Sequence, residues 1–195
     1  MEELAELAER AAGHDADAFT ALMQSQMQNM YKTACAILSN ESDIADAISE
    51  TILTCWEKLE QLKDPAWFRT WMTRILVNKC NDLIRQGKHL SMPGDVPEIS
   101  AADSGFTNVE WNEALNMLDE KYRLVLMLYY VEGYKTSEIS AILEITESTV
   151  RTQLARGREK LAQAVTGKKW KAAQKRSPGG DGAAYVLHQK PMQDK

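Results

Sequence analysis

Cysteine, histidine and proline are scarce in this chain, with three Cys, three His and five Pro among 195 residues. Cys35, Cys55 and Cys80 each stand alone within a helical pattern. No close pair and no neighbouring His gives them metal-ligand spacing, so they read as small buried hydrophobes. His14, His89 and His188 fall in separate segments, and neither a Ser/His/Asp set nor a phosphate-cradling glycine loop accompanies them. Nothing therefore outlines an enzyme, a metal site or a cofactor site. Long hydrophobic runs are missing too. The longest, Leu124 to Val131, is far short of a bilayer span, and the start "MEELAELAER" lacks the basic-then-apolar order of a secretory signal. A cytoplasmic protein without direct membrane insertion is expected. Strand-type alternation and internal repeats are absent as well.

What is present is a soluble composition, 44% hydrophobic and 26% charged, with a net charge of -5 that conceals strong segregation. Residues 1 to 60 carry 12 acids against 3 bases, and residues 91 to 120 carry 7 acids and no base. Residues 63 to 90 reverse this with 6 bases against 2 acids, and residues 146 to 176 with 9 against 2. Two basic islands suit two contacts with a polyanion, and the acidic segments suit a basic partner; solvated helix faces are the plainer alternative.

The periodicity predicts an all-α chain of two small helical domains joined by a flexible linker. Residues 1–86 form the first domain, 87–107 the linker, 108–166 the second domain, and 167–195 a disordered basic tail. In the first domain, apolar positions from Asp15 to Leu38 recur at helical spacing. Asn40 interrupts them, and Ser42 is placed to cap a second helix. Its stripe runs Ile44, Ile48, Ile52, Cys55, Trp56 and Leu59, with Asp43, Asp46, Glu50 and Glu57 off that stripe. Asp64-Pro65 opens a third helix reaching about Arg85. These three helices make one bundle. Residues 87 to 107 are rich in Gly, Pro, Ser and Asp without apolar period, as linkers are.

In "TSEISAILEITESTVRTQLARGREKL" an eight-residue helix with Ile139, Ile142 and Leu143 meets a short turn, then a second helix capped by Thr146. On that helix Val150, Leu154, Gly157 and Leu161 share one face. Ser148, Thr152 and Ala155 lie opposite, flanked by Arg151 and Arg156. An apolar back and a small, polar, cation-flanked front are what a helix-turn-helix needs to enter the major groove. Arginine can pair with guanine edges or phosphate, and Ser and Thr with either. An ordinary helical hairpin with a solvated basic face is the alternative. Glu144 occupies the turn position where Gly is common, so either a strained left-handed residue costing on the order of 1 kcal/mol or a different turn is expected.

The densest mixture of aromatics and cations is "DPAWFRTWMTRILVNKCNDLIRQ", residues 64 to 86. Phe68, Trp71, Ile75 and Leu83 can face the bundle. Trp67 has no such duty: it is either a stacking platform for unpaired bases or a lid on the core. "DIADAISETILTCWEKL", then "FRTWMTRILVNKCNDLIR", then "LDEKYRLVLMLYYVEGYKTSEISAILEITESTVRTQLARGREKL" together resemble, over roughly residues 15 to 165, the extracytoplasmic-function sigma factors. The resemblance implies a bacterial promoter-recognition subunit that binds core RNA polymerase and promoter DNA, duplex and melted strand, and initiates transcription. It implies polymerase binding by Asp43, Asp46 and Glu50. It implies minus-ten binding by Lys63, Trp67, Arg74, Asn78 and Lys79, with the loop from Leu62 to Trp67 receiving a flipped base. It implies minus-thirty-five binding by Ser148, Thr149, Arg151, Thr152 and Arg156. An anti-sigma partner is implied too, with any membrane attachment coming only through it. Three positions depart from the family pattern: Ser49 replaces the usual Gln, Gln153 a common base, and Gly157 the usual Ala. A stand-alone helix-turn-helix regulator is the rival, and it leaves residues 68 to 85 without a purpose.

Overall fold

A computed structural model describes residues 2–86, 115 and 117–174. The regular structure among them is helical throughout: α1 (Glu2–Ala12), α2 (Ala16–Cys35), α3 (Glu41–Lys58), α4 (Phe68–Arg85), α5 (Glu120–Leu126), α6 (Thr136–Leu143) and α7 (Glu147–Gln174). Tight 3-10 turns occupy Leu59–Gln61 and Pro65–Trp67, and a π-helical turn occupies Met127–Val131. The expected linker, 87–107, and residues 175–195 lie outside the described residues.

The first domain has four helices where the sequence pattern suggested three. In α1 the residues Leu4, Leu7, Ala8 and Ala11 follow the i, i+3, i+4, i+7 rule, and the two alanines are buried against α2. Asp15 caps α2 by accepting from the Ala18 amide at 2.9 Å, while the Arg10 guanidinium donates to its other oxygen at 2.7 Å. Those two donors hold the Asp15 carboxyl below its ordinary range. Asn40, rather than Ser42, caps α3, its side chain accepting from the Ser42 amide at 2.8 Å. Asp64 does cap, though what it caps is the Pro65–Trp67 turn through the Ala66 amide at 3.0 Å, and α4 begins only at Phe68.

The buried side of α3 is Asp43, Ile44, Ala47, Ile48, Thr51 and Cys55. This corrects the sequence reading at both edges of the stripe: Asp43 is 6% exposed, whereas Trp56 is 43% exposed. The small residues explain the rotation. Ala47 and Thr51 let neighbouring helices come close, so the arc centres on the row that Asp43 shares, and Trp56 is pushed to the rim, edge-on to Phe19 at 4.9 Å. In α4 the row Phe68, Met72, Leu76, Cys80 and Leu83 is buried, while Trp71 and Ile75 are half-buried. Fully burying each large apolar side chain contributes roughly 1.5–3 kcal/mol. The three cysteines are buried and unpaired, and burial pushes their thiols up, to about 11 for Cys35 and about 12 for Cys55 and Cys80.

The second domain folds as α5, the π-helical turn, and the α6–turn–α7 pair. The Lys135 amide at the head of α6 donates to the Glu138 carboxylate at 2.7 Å. Glu144 ends α6 in the left-handed region, φ 55° and ψ 35°, so the turn is the standard one with a strained residue in it. The Ser140 hydroxyl donates to the Ile145 carbonyl at 2.6 Å and tightens that corner. Thr146 then caps α7, accepting from the Thr149 amide at 3.3 Å. Val150, Leu154, Gly157 and Leu161 are buried as the spacing required. Helix α7 continues to Gln174, past Gly167 where a disordered tail was expected to begin.

The two domains touch along α4. Left-handed Gly133, φ 72°, turns the chain so that Glu132 and Tyr134 on either side of it both reach that helix. Arg69 donates to the Glu132 carbonyl at 2.6 Å and to its carboxylate at 2.9 Å, and its guanidinium lies 4.3 Å over the Tyr134 ring. The Tyr134 and Thr73 hydroxyls are 2.7 Å apart. Arg74 pairs with Glu144, and Arg123 Nε donates to the Ala36 carbonyl at 2.7 Å.

Gly157 departs from its expected Ala for a packing reason. A Cβ there would lie 3.1 Å from Leu126 Cδ1 and 3.5 Å from Tyr122 Cβ, where α5 crosses α7. Gly157→Val should therefore overpack this crossing and cost about 1–3 kcal/mol, lowering the thermal midpoint in a circular-dichroism melt. An unchanged midpoint would mean that the crossing has slack.

Candidate nucleic-acid interface

Three surfaces carry the residues singled out above. The first is α3, on which Asp46 and Glu50 are exposed one turn apart and Asp43 is not, because it belongs to the buried row. Leu53, 61% exposed, and Trp56 lie further along the helix with exposed Glu57. The α3 surface thus mixes acids with apolar side chains, a feature the acidic count alone did not reveal.

The second surface is the loop 59–67 with the outward side of α4. Leu59 anchors the loop in the core, Lys63 is exposed, and the Pro65–Trp67 turn buries no side chain of its own. Trp67 is 49% exposed, so half of its surface is open for stacking while the other half is covered. Helix α1 packs against both turns of this loop, so a segment with no motif of its own helps to position Trp67. Arg74 and Asn78 are exposed at successive turns of α4, and Lys79 is half-buried beside them. The cations already have anionic neighbours: Arg74 pairs with Glu144, and Lys79 Nζ lies 3.2 Å from the Glu50 carboxylate of α3. Asn78 borders an open cleft of about 680 Å³ whose walls include Val77, Asp119, Ile142 and Gln153. That cleft runs between the domains.

The third surface is the front of α7. Ser148, Arg151, Thr152 and Arg156 are exposed and Thr149 is half-buried. Thr152 donates to the Ser148 carbonyl at 2.9 Å, and Arg151 pairs with Glu147 at 2.8 Å, an exposed i, i+4 pair worth about 0.3–0.5 kcal/mol at most, readily exchanged for phosphate. Among the described residues no group of three or more His, Cys, Asp or Glu is placed to hold a metal, and no helix is long and apolar enough to cross a membrane.

Comparison with known proteins bears on these surfaces together. The family model of sigma-70 region 2 matches residues 22–89, and that of sigma-70 region 4 matches residues 109–161. The probable RNA polymerase sigma factor RfaY of Xanthomonas campestris pv. campestris is 27% identical over 166 residues, 78% of this chain but only 41% of that protein. The ECF RNA polymerase sigma factor SigW of Bacillus subtilis is 26% identical over 166 residues, 75% of this chain and 88% of that protein. Among solved structures, CnrH in complex with the cytosolic domain of CnrY superposes with a TM-score of 0.65 at 25% identity, over 85% of this chain and 98% of that one.

Exposure separates recognition from stability at two positions. Asn78→Ala should keep or slightly raise the thermal midpoint, since Ala exceeds Asn in helix propensity by up to about 0.7 kcal/mol. Trp67→Ala should spare the fold if the ring serves unpaired bases and lower the thermal midpoint by several degrees if its covered half lids the core. A circular-dichroism melt of the Trp67→Ala protein decides between the two.

Proposed function

Because the chain belongs to the sigma-70 family, in its extracytoplasmic-function branch, we propose that its three surfaces respectively dock on core RNA polymerase, open a promoter and read the upstream element of that promoter. Sigma factors are transcription initiation factors, and no catalytic step is assigned to any residue here. Asp46 and Glu50, with Leu53 and Trp56 beside them, form the polymerase-docking surface. Asp43, buried, supports that helix from within. Lys63, Trp67, Arg74, Asn78 and Lys79 take the melted minus-ten strand, with Trp67 offering its face to an unstacked base and Asn78 an amide to a base edge. Ser148, Thr149, Arg151, Thr152 and Arg156 take the minus-thirty-five duplex. Residues 1–86 and 108–166 are the corresponding domains.

The observation that carries this reading is that Trp67, Arg74 and Asn78 are all exposed, on the same bundle as an exposed acidic helix. A stand-alone duplex-binding regulator uses neither. The protein acts in the cytoplasm with the polymerase. CnrH was solved with the cytosolic domain of another protein, and by likeness we assign this chain a regulator of the anti-sigma kind.

Run-off transcription with purified core polymerase on a genomic promoter library tests the function directly: specific transcripts support it, and tight sequence-specific duplex binding without polymerase favours the rival. The double substitution Asp46→Lys and Glu50→Lys should weaken core binding in a pull-down and leave helix content unchanged; undiminished affinity would remove α3 from the docking surface.

Arg151→Ala and Arg156→Ala should each weaken protection of the upstream element. A base-edge contact is worth roughly 1–3 kcal/mol, while a phosphate contact lowers affinity for all sequences and reduces the salt slope by about one. Unchanged upstream footprints in both variants would mean that α7 presents a different face.

A further inference from the structure

The two arginines on the front of α7 are held differently. Arg151 Nη2 donates to Glu147 Oε1 at 2.8 Å, and the same oxygen accepts from the Thr136 hydroxyl at 2.6 Å. Arg156 is exposed, and no acid is paired with it among the described residues. Thr136 opens α6 and Glu147 opens α7, so one carboxylate oxygen joins the heads of both helices of the helix-turn-helix to one recognition side chain.

Two donors from different elements fix that carboxylate. An isolated i, i+4 pair at the surface breaks readily. Here, when Arg151 lets go, Thr136 still holds Glu147 in place, with its side chain 39% exposed. Any anion that approaches Arg151 therefore meets a negative charge that stays beside it. In duplex DNA a guanidinium finds two kinds of acceptor: phosphate oxygens, which carry full charge, and guanine O6 and N7, which do not. Glu147 repels the first far more than the second. It also preorganises the reader. A guanidinium with one N–H on a fixed carboxylate has already lost part of its rotamer freedom, and its remaining donors can still make a forked contact. Arg156 carries no such restriction.

We propose that Glu147 is a specificity-determining positioning residue, which keeps Arg151 off the phosphates and aims it at a base edge of the upstream element, leaving phosphate contact to Arg156. The inference rests on the assignment of α7 to that element. It gives a role to a side chain outside those placed on the upstream duplex, and the role needs no contact between Glu147 and DNA. Discrimination by this helix then comes partly from a penalty on the wrong contact, at the cost of weaker binding to duplex of any sequence.

The test uses the full chain assembled with core RNA polymerase and two labelled duplex fragments, one promoter with its upstream element intact and the same promoter with that element scrambled, titrated over a salt series. Glu147→Gln removes the charge and keeps an oxygen for Thr136 and Arg151. It should tighten binding of the scrambled fragment several-fold, steepen its salt slope by about one as Arg151 takes a phosphate, and lower the discrimination between the fragments several-fold. In an Arg151→Ala background, Glu147→Gln should change neither slope nor discrimination. A Glu147→Gln protein equal to wild type in both readings would overturn the proposal, even where Glu147→Ala loses discrimination, because the carboxylate would then be only a brace between α6 and α7. An effect of the same size with Arg151 absent would overturn it too, by making Glu147 a general repulsive charge. If circular dichroism shows Glu147→Gln to be unfolded, Thr136→Val, which frees the carboxylate to swing away, should shift both readings in the same direction; no shift overturns the proposal. A wild type that binds both fragments alike would remove the assignment of α7 to the upstream element and this proposal with it. A wild type that discriminates, beside an unchanged Glu147→Gln, overturns the proposal alone.

Discussion

The rotation of α4 about its own axis is the constraint on which the rest of the molecule depends. Phe68, Met72, Leu76, Cys80 and Leu83 form a row at spacings of four and three, and burying that row leaves one azimuth for the helix. Everything else on α4 follows from it. Arg69 and Thr73, one row over, meet the second domain, while Arg74 and Asn78, a further step round, face outward. Eighteen residues thus serve a core, an interdomain contact and a polar recognition side. No position on one row can be exchanged for a position on another without turning the helix.

Much of this is legible in the sequence, and what is not escapes for physical reasons. The helix-turn-helix can be read because its determinants are local: an eight-residue helix, a Thr cap and an apolar back at Val150, Leu154, Gly157 and Leu161. Periodicity misjudges the α3 stripe by one row because Ala47 and Thr51 carry little hydrophobic weight, yet their small size is what draws the neighbouring helices in. Asp43 is buried for the same reason that Trp56 is exposed. Helix α1 escapes notice because four glutamates dominate its composition, though Leu4, Leu7, Ala8 and Ala11 have the right spacing. Trp67 cannot be decided by periodicity at all. It belongs to a 3-10 turn that ends where α4 begins, so the α-helical phase of α4 does not extend back to it. The polar cluster between the domains joins residues more than sixty positions apart and has no sequence signature.

Charge supplies the remaining link between the surfaces. An acidic chain with basic islands could hold its islands away from its acids, but here two of the strand-side cations are matched internally. Lys79 meets Glu50 on the α3 surface and Arg74 meets Glu144 in the helix-turn-helix corner. Both pairs lie at the surface, with Lys79 half-buried, and each is worth about 1 kcal/mol or less. Their weakness is the useful property, since a partner offering several charges at once displaces them with little loss.

These pairs also tie the order of events to the fold. Glu50 belongs to the acidic surface proposed to meet the polymerase, and a basic partner that takes Glu50 leaves Lys79, which follows Asn78 on α4, without that counter-ion. Polyanion affinity grows with the number of unneutralised cations through counterion release. On the proposed reading, docking at α3 and the availability of α4 to a nucleic-acid strand would be coupled without any movement of backbone, because the two surfaces share an ion pair across adjacent helices. On the proposed reading, a chain arranged in this way would bind a strand better once its acids are engaged elsewhere.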